Sequence, residues 1–224
     1  MGTDLHSPDY TVFSKRAKEA ADALPKLSNR RPIEIAIDSS GLKVLGEGKW
    51  KIKIHRADKR RTWVKVHIGV DVRTQELVAV EVTDEKTKDS TVLPRIVERS
   101  AKSIKRALAD GAYDSMHCRR FLSRRGIEEC IPTRKTGKLR EDHEMKERNF
   151  AIGIMSLLGG GKEGIALWKK ISGYHKRSLA KTAFSRLKRL FGDRVYSKKF
   201  ANISTEVSFR CHVLNRMNHI QFVN

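Results

Sequence analysis

The stretch IEIAIDSSGLK (Ile33–Lys43) decides the fold of this chain, because a short apolar run carries one acid and then breaks into small residues. Its three β-branched isoleucines predict a buried strand, and the Ser-Ser-Gly at 39–41 predicts its end. Asp38 then lies beyond the carboxyl end of the strand, where open α/β sheets bind ligands. An aspartate after a strand more often serves a turn or cap, so Asp38 alone is a weak candidate for chemistry.

A second stretch of the same design strengthens this candidate. In IKRALADGAYD (Ile104–Asp114), an apolar run leads into Asp110, which is followed by Gly and Ala. Two aspartates at the ends of two apolar strands indicate a shared site more strongly than either does alone. We therefore take Asp38 and Asp110 as candidate catalytic residues.

The remaining pattern predicts an α/β fold with a mixed sheet flanked by helices. Alternating apolar and polar residues predict a hairpin of strands 63–70 and 76–82 with Asp71 in its turn. Further predictions are a helix capped by Asp89 or Ser90 and running to 101, a helix over 115–125 capped by Asp114, a strand over 128–131, a basic helix over 175–191 and a terminal helix over 207–217. We expect one core over residues 32–220 and read residues 1–31, with a helix over 11–24, as the remnant of an N-terminal helical region.

Composition points to a polyanionic partner. The 224 residues include 47 Lys and Arg against 26 Asp and Glu, a formal charge of +21, well beyond what solubility requires. Aromatic residues make up only 7%, which favours backbone recognition of a duplex over base stacking on single strands. The three cysteines show neither CxxC pairs nor a disulfide pattern. Without an apolar run long enough for a membrane span or a signal core, we expect a cytoplasmic, nucleoid-associated protein.

Two segments are candidates for contacting DNA. The loop from Lys43 to Arg61 is very basic, and Lys49, Lys51, Arg60 and Arg61 within it form either a DNA-facing arm or a solvated hairpin. In the basic helix, Tyr174, Arg177, Lys181 and Lys188 are spaced by 3, 4 and 7 residues, which places them on one helical face. For Arg177 and Lys188, phosphate contact and simple solvation are both open.

The same helical face is where a third metal ligand would be expected. Two Mg²⁺ ions about 4 Å apart can activate a nucleophile and stabilise the leaving oxygen of a phosphodiester, and such a site needs about three acids. If Asp38 and Asp110 end neighbouring strands, the third acid should come from a helix packed across that edge. The basic helix is the natural source, yet from Tyr174 to Gly192 it contains no acid.

The segments IAIDSSGLK, LADGAYD and SGYHKRSLAKTAFSRLKRLFGDR resemble, in order, the three acid-bearing motifs of DDE transposases from bacterial insertion sequences. The resemblance spans about residues 8–217. It implies a ribonuclease-H-like core that cleaves and rejoins double-stranded DNA at insertion-sequence ends with two Mg²⁺ or Mn²⁺ ions, with Asp38 and Asp110 as metal ligands. A homodimer is a further candidate assembly, and no membrane partner is expected.

Two departures from the family pattern shape the functional prediction. Lys181 stands where the third motif has its glutamate, so an ammonium replaces an oxygen ligand and could pair with Asp38 or Asp110. The family usually has an N-terminal helical region, near whose end this chain begins. We expect Asp193 to be too distant to substitute, whereas an acid between Glu141 and Glu147 could do so only if its loop folds over the site. These departures predict a transposase with DNA affinity but impaired strand cleavage.

Three alternatives remain open from the sequence. A non-catalytic DNA-binding protein could occupy the element's ends and compete with intact transposase, which predicts salt-sensitive binding without metal. A ribonuclease-H-like nuclease acting on other substrates would need a third acid. A basic structural RNA-binding protein would leave the two aspartates unexplained.

Overall fold

The computed structural model describes residues 11–12, 16, 31–45, 63–100, 103–133, 137–157, 159 and 161–223. The described strands are β1 (Ile33–Val44), β2 (Trp63–Asp71), β3 (Leu77–Asp84), β4 (Ile104–Leu108), β5 (Glu128–Cys130) and β6 (Arg194–Val195). The described α-helices are α1 (Asp89–Arg99), α2 (Met116–Arg124), α3 (Lys146–Leu157), α4 (Lys162–Ile171), α5 (Ser178–Phe191) and α6 (Phe200–Val223), with 3₁₀ helices at Gly111–Tyr113, His143–Met145 and Tyr174–Arg177. Most of the helix predicted over 11–24, and the basic-loop residues Lys49, Lys51, Arg60 and Arg61, lie outside the described residues.

The described strands form one mixed sheet in the order β3-β2-β1-β4-β5, with β6 beside the far end of β1. β1, β2 and β3 pair antiparallel, whereas β4, β5 and β6 join with parallel pairings. Antiparallel strands can be joined by short turns, while a parallel neighbour needs a crossover, which α1 and α2 supply here. This arrangement confirms the prediction of an α/β, ribonuclease-H-like mixed sheet flanked by helices.

Helices cover both faces of the sheet because successive residues of β1 point to opposite sides. Ile35 and Ile37 pack in a buried cluster with residues of α1 and α2, whereas Ala36 and Leu42 pack with residues of α5 and α6. The helical pair α3 and α4 adds a third cluster, in which Trp168 packs with the ends of β4 and β5. β1 is therefore the central strand on which both layers rest.

β1 is longer than the sequence predicted. Residues 39–41 do not end the strand, because β1 keeps its antiparallel pairing with β2 from Ile35 as far as Lys43. Gly41 has a packing reason instead: a Cβ there would lie 3.1 Å from the Trp63 ring, so glycine admits the aromatic side chain. Asp38 consequently lies within a strand rather than at its end.

Several local predictions can be compared directly with the structure. Asp71 is the last residue of β2 rather than part of the turn itself, and its Oδ1 accepts from the Arg73 amide of the turn at 2.9 Å. The prediction that Asp114 caps α2 is wrong, because the Ser115 hydroxyl accepts from the Cys118 amide and Asp114 instead pairs with the buried Arg119 at 2.9 Å.

Other boundaries shift modestly. α1 ends at Arg99, and the residue at its N-cap is Lys88 rather than Asp89. The terminal helix α6 is longer than predicted and starts at Phe200. All three cysteines are buried free thiols, as the sequence suggested.

Across the described part of the chain, none of the helices has the length and apolar character needed to span a membrane.

Candidate functional site

The register between β1 and β4 brings Asp38 and Asp110 together. Ala36 pairs with Leu108 in parallel, and each aspartate lies two residues further along its own strand direction. Because side chains two residues apart share a face, both carboxylates emerge on the side of the sheet that α5 covers. β4 ends at Leu108, whereas β1 continues to Val44. Both carboxylates therefore lie just beyond the last β1–β4 pair, Ala36 with Leu108.

Backbone hydrogen bonds orient both carboxylates. Asp38 Oδ1 accepts from the Ser39 amide at 3.0 Å. Asp110 is the N-cap of the 3₁₀ helix Gly111–Tyr113, and its Oδ1 accepts from the Ala112 amide at 2.9 Å. Asp110 thus acts as a cap through Oδ1, and its second oxygen remains available to other partners.

Arg177 takes that oxygen and links the two acids. Its Nη2 donates to Asp38 Oδ1 at 2.9 Å and to Asp110 Oδ2 at 3.0 Å. The side chains of Arg177 and Asp38 are only 12% and 11% exposed, while that of Asp110 is 35% exposed. Arg177, for which phosphate contact and solvation were both open, therefore bridges the two candidate acids. We call this arrangement the Asp38–Arg177–Asp110 bridge.

The backbone leading to Arg177 differs from the predicted continuous helix. Tyr174–Arg177 forms a 3₁₀ turn after Gly173, whose φ of 62° is left-handed, and α5 begins only at Ser178. Residues three apart are superimposed in a 3₁₀ helix, so Tyr174 and Arg177 still share a side. The Tyr174 ring packs against Trp168, with ring centroids 5.2 Å apart, and burial raises the pKa of its hydroxyl.

Two lysines continue the same face of α5. Lys188 Nζ donates to Ser40 Oγ at 2.7 Å, which ties the helix to β1 two residues beyond Asp38. Lys181 is exposed, and its charge acts to lower the pKa of Asp38. Within the residues that the structure describes, Lys181 has no ion-pair partner. Arg177 and Lys181 thus place positive charge near Asp38, while Lys188 is held further along β1.

The pKa of Asp38 shows how these effects balance. Burial is the largest influence and raises the pKa, and the neighbouring Asp110 carboxylate raises it further. Arg177, the Ser39 amide and Lys181 act in the opposite direction without cancelling the effect of burial. The net pKa of Asp38 lies above its usual value, because burial disfavours the ionised carboxylate. The contact with Arg177 offsets part of this effect.

Two family models match this chain, and each is described as a transposase DDE domain. One matches residues 29–216 and the other residues 1–47. The chain belongs to the transposase DDE domain family. This membership confirms the resemblance drawn from the three motifs and implies DNA as the substrate class, and proteins of this family normally use divalent metal ions.

The candidate site at Asp38 and Asp110 does not fit a pair of divalent ions. Among the described residues, no group of three or more His, Cys, Asp or Glu side chains is arranged to hold a metal ion. The two aspartates are already joined by the Arg177 guanidinium, and the charge of Lys181 is close enough to act on Asp38. A metal ion bound to both Asp38 Oδ1 and Asp110 Oδ2 would have to displace Arg177. The nearby ammonium of Lys181 would also oppose its binding.

Three of the acids considered as replacements, Asp193, Asp142 and Glu144, are engaged elsewhere. Asp193 pairs with Lys43 near the far end of β1. Asp142 pairs with Arg120 at 2.8 Å, and Glu144 pairs with both Arg120 and Arg124 of α2. The loop that could have folded over the transposase site is thus anchored to α2 by these ion pairs.

Two further residues lie near the site that the motifs did not single out. Asp89, at the start of α1, accepts from Ser39 Oγ at 3.1 Å and from Lys65 Nζ at 3.0 Å. The Tyr113 hydroxyl is buried and has no hydrogen-bond partner in the described part of the chain. Its pKa is raised by burial and then by the charges of Asp89, Asp110 and Asp38. Only the position of Tyr113 three residues after Asp110 was visible in the sequence.

Proposed function

We propose that this chain is a transposase core that binds double-stranded DNA at insertion-sequence ends and whose strand cleavage is impaired. The observation that carries the proposal is the Asp38–Arg177–Asp110 bridge with Lys181 beside it. In this proposal Asp38 and Asp110 occupy the positions of two metal ligands of the family, and Lys181 occupies the position of the third. Cations fill the space in which the family's chemistry needs acids and ions.

Binding to DNA follows from charge rather than from base contacts. A formal charge of +21 favours a polyanion, and Lys or Arg contacts to phosphate position a protein without reading sequence. We assign Arg177, Lys181 and Lys188 to the phosphate-contacting surface, and Tyr174 to its border. The basic-loop residues Lys49, Lys51, Arg60 and Arg61 stay predictions, as do recognition of specific ends, a homodimer and association with the nucleoid.

The division of the chain is proposed on the same basis. Residues 32–220 would form the ribonuclease-H-like core, since the described sheet and both helical layers lie within this range except for the last turn of α6, which ends at Val223. Residues 1–31 would form a separate region.

The test compares the natural chain with Lys181→Glu and Lys181→Gln on a plasmid that carries the element's ends, in Mg²⁺ or Mn²⁺. Lys181→Gln removes the charge without supplying an acid, so it separates relief of repulsion from gain of a ligand. We expect measurable end cleavage only with Lys181→Glu. Equal cleavage by the natural chain and Lys181→Glu would contradict impairment, and cleavage by neither would show that an acid at position 181 does not restore cleavage by itself.

A second candidate function is supported by the same bridge. A chain whose acids are neutralised internally could occupy the ends without cutting and so compete with intact transposase. This predicts that adding the natural chain to an active DDE transposase of the same element lowers its cleavage in proportion to occupancy of the ends. No inhibition at saturating occupancy would exclude this function.

A further inference from the structure

We propose that Arg119 is a positioning residue for Asp110: it fixes the 3₁₀ turn Gly111–Tyr113 through Asp114 and so sets where the Asp110 carboxylate lies. The functional meaning of this inference rests on the proposed function, which puts Asp110 at the position of a metal ligand of the family. The inference goes beyond that proposal because it names the buried group that holds the acid in place.

Hydrogen bonds close the 3₁₀ turn at both of its ends. At its start, Asp110 Oδ1 accepts from the Ala112 amide at 2.9 Å. At its end, the Asp114 amide donates to the Gly111 carbonyl at 3.2 Å. A 3₁₀ turn of three residues has few internal hydrogen bonds, so its placement depends on the two aspartates that flank it.

Arg119 ties the end of this turn to β5. Its Nε donates to Asp114 Oδ1 at 2.9 Å, its Nη1 to the Glu129 carboxylate and its Nη2 to the Ile131 carbonyl at 3.2 Å. The Arg119 side chain is only 1% exposed, so these contacts lie in a region of low dielectric, where hydrogen bonds are strong. Asp114 is thereby held at a fixed place beside β5.

β5 returns the contact to the strand that carries Asp110. The Ala109 amide donates to the Cys130 carbonyl at 3.3 Å, directly beyond the paired part of β4 and β5. The segment that contains Asp110 is therefore fixed to β5 twice, by this hydrogen bond before the acid and by Arg119 after the turn. Without the contact from Arg119, only the first of these two attachments remains.

The charges around Arg119 balance, so its burial is tolerated. Arg119 and Arg148 face Asp114 and Glu129, which sets two positive charges against two negative ones. Arg148 Nη1 also donates to the Lys138 carbonyl at 2.7 Å. Buried charges require such partners. The planar guanidinium of Arg119 serves three acceptors in a fixed geometry, which the ammonium of a lysine does not reproduce.

Two alanine variants separate positioning from general stabilisation. Asp114→Ala and Glu129→Ala each remove one buried acid that pairs with Arg119, with side chains 7% and 5% exposed. Only Asp114 flanks the turn. A purely stabilising role of Arg119 predicts similar effects of the two changes on the turn, whereas a positioning role predicts that Asp114→Ala alone displaces Asp110.

We would measure exchange of two backbone amides with water by ¹⁵N NMR, at neutral pH in EDTA. The Ala112 amide donates to Asp110 Oδ1, and the Ser39 amide donates to Asp38 Oδ1. For Asp114→Ala we expect Ala112 exchange to rise about tenfold, as for the loss of one hydrogen bond to a charged group, and Ser39 exchange to change less than about twofold. In Glu129→Ala, Ala112 exchange should rise less than about threefold.

Arg119→Lys provides a second variant, which keeps the charge and loses the guanidinium fork. It should raise Ala112 exchange in the same sense as Asp114→Ala, and it carries the test if Asp114→Ala does not fold. An unchanged Ala112 rate in these two variants would overturn the positioning role. Equal rises at Ala112 and Ser39, or equal rises at Ala112 in Asp114→Ala and Glu129→Ala, would overturn it as well. The measurement needs neither DNA nor cleavage, so its failure leaves the proposed function to the separate test with Lys181→Glu.

Discussion

Replacing Arg177 by alanine should destabilise the fold through the two acids that it leaves behind. The change removes both hydrogen bonds of the Asp38–Arg177–Asp110 bridge. Net contributions of hydrogen bonds to charged groups are about 1.5–3 kcal/mol each. Because the Asp110 side chain is 35% exposed, water compensates part of its loss. We expect a total of about 3 kcal/mol, which for a chain of this length lowers Tm by about 6–12 °C.

A second substitution shows whether charge is the cause. In the natural background, Asp38→Asn removes a partner of Arg177 and should lower Tm. In the Arg177→Ala background, the same substitution removes an unpaired carboxylate beside Asp110, so it should raise Tm. This change of sign is a strong non-additivity of the kind expected between residues in one ion-pair network.

The assay is thermal and urea unfolding of the four proteins in this cycle, in EDTA and at neutral pH. Arg189→Ala is the matched control, since it removes an exposed arginine from the same helix and should change stability by less than about 0.5 kcal/mol. A loss for Arg177→Ala no larger than that of the control, or additive effects of the two substitutions, would refute the bridge as a stabilising element.

Two further predictions concern the packing around the site. Burial lowers the pKa of His67 to about 4, so this residue stays neutral in the fold while the unfolded chain takes up a proton below about 6.5. Neutral His67 therefore contributes up to about 3 kcal/mol to the free energy of unfolding above pH 6.5, and this contribution is lost as the pH falls towards 4. In urea unfolding between pH 7 and 4, the free energy of unfolding should decline less steeply for His67→Leu than for the natural chain. Equal slopes would contradict this. Gly164→Ala would place a Cβ against the Met155 carbonyl oxygen where α3 and α4 meet, and we expect a loss of about 1–3 kcal/mol. Gly153→Ala, where a Cβ meets nothing within 4 Å, should instead raise Tm through helix propensity worth about 0.5–1 kcal/mol, and a Tm loss for both variants would contradict the packing argument.

Much of the fold was readable because alternation and periodicity are local. The isoleucines of β1 predicted a buried strand, and the alternation over 63–70 and 76–82 predicted the pair of strands β2 and β3. The predictions failed where two local signals competed for one position. Ser-Ser-Gly at 39–41 resembles a strand end, but pairing with β2 keeps this segment extended. At α2, Asp114 and Ser115 are both good caps, and the buried Arg119 engages the aspartate.

The sequence by itself determined the candidate pair Asp38 and Asp110 and the basic character of the chain, because residue identity and spacing need no tertiary contacts. It also led to the prediction that Lys181 stands where the family has an acid. Only the tertiary structure decided what Arg177 does. Its partners lie 139 and 67 residues away, and their meeting depends on the register of β1 with β4 and on the packing of α5 across both. No local pattern encodes such a contact, since it arises only when the sheet and its covering helix have assembled.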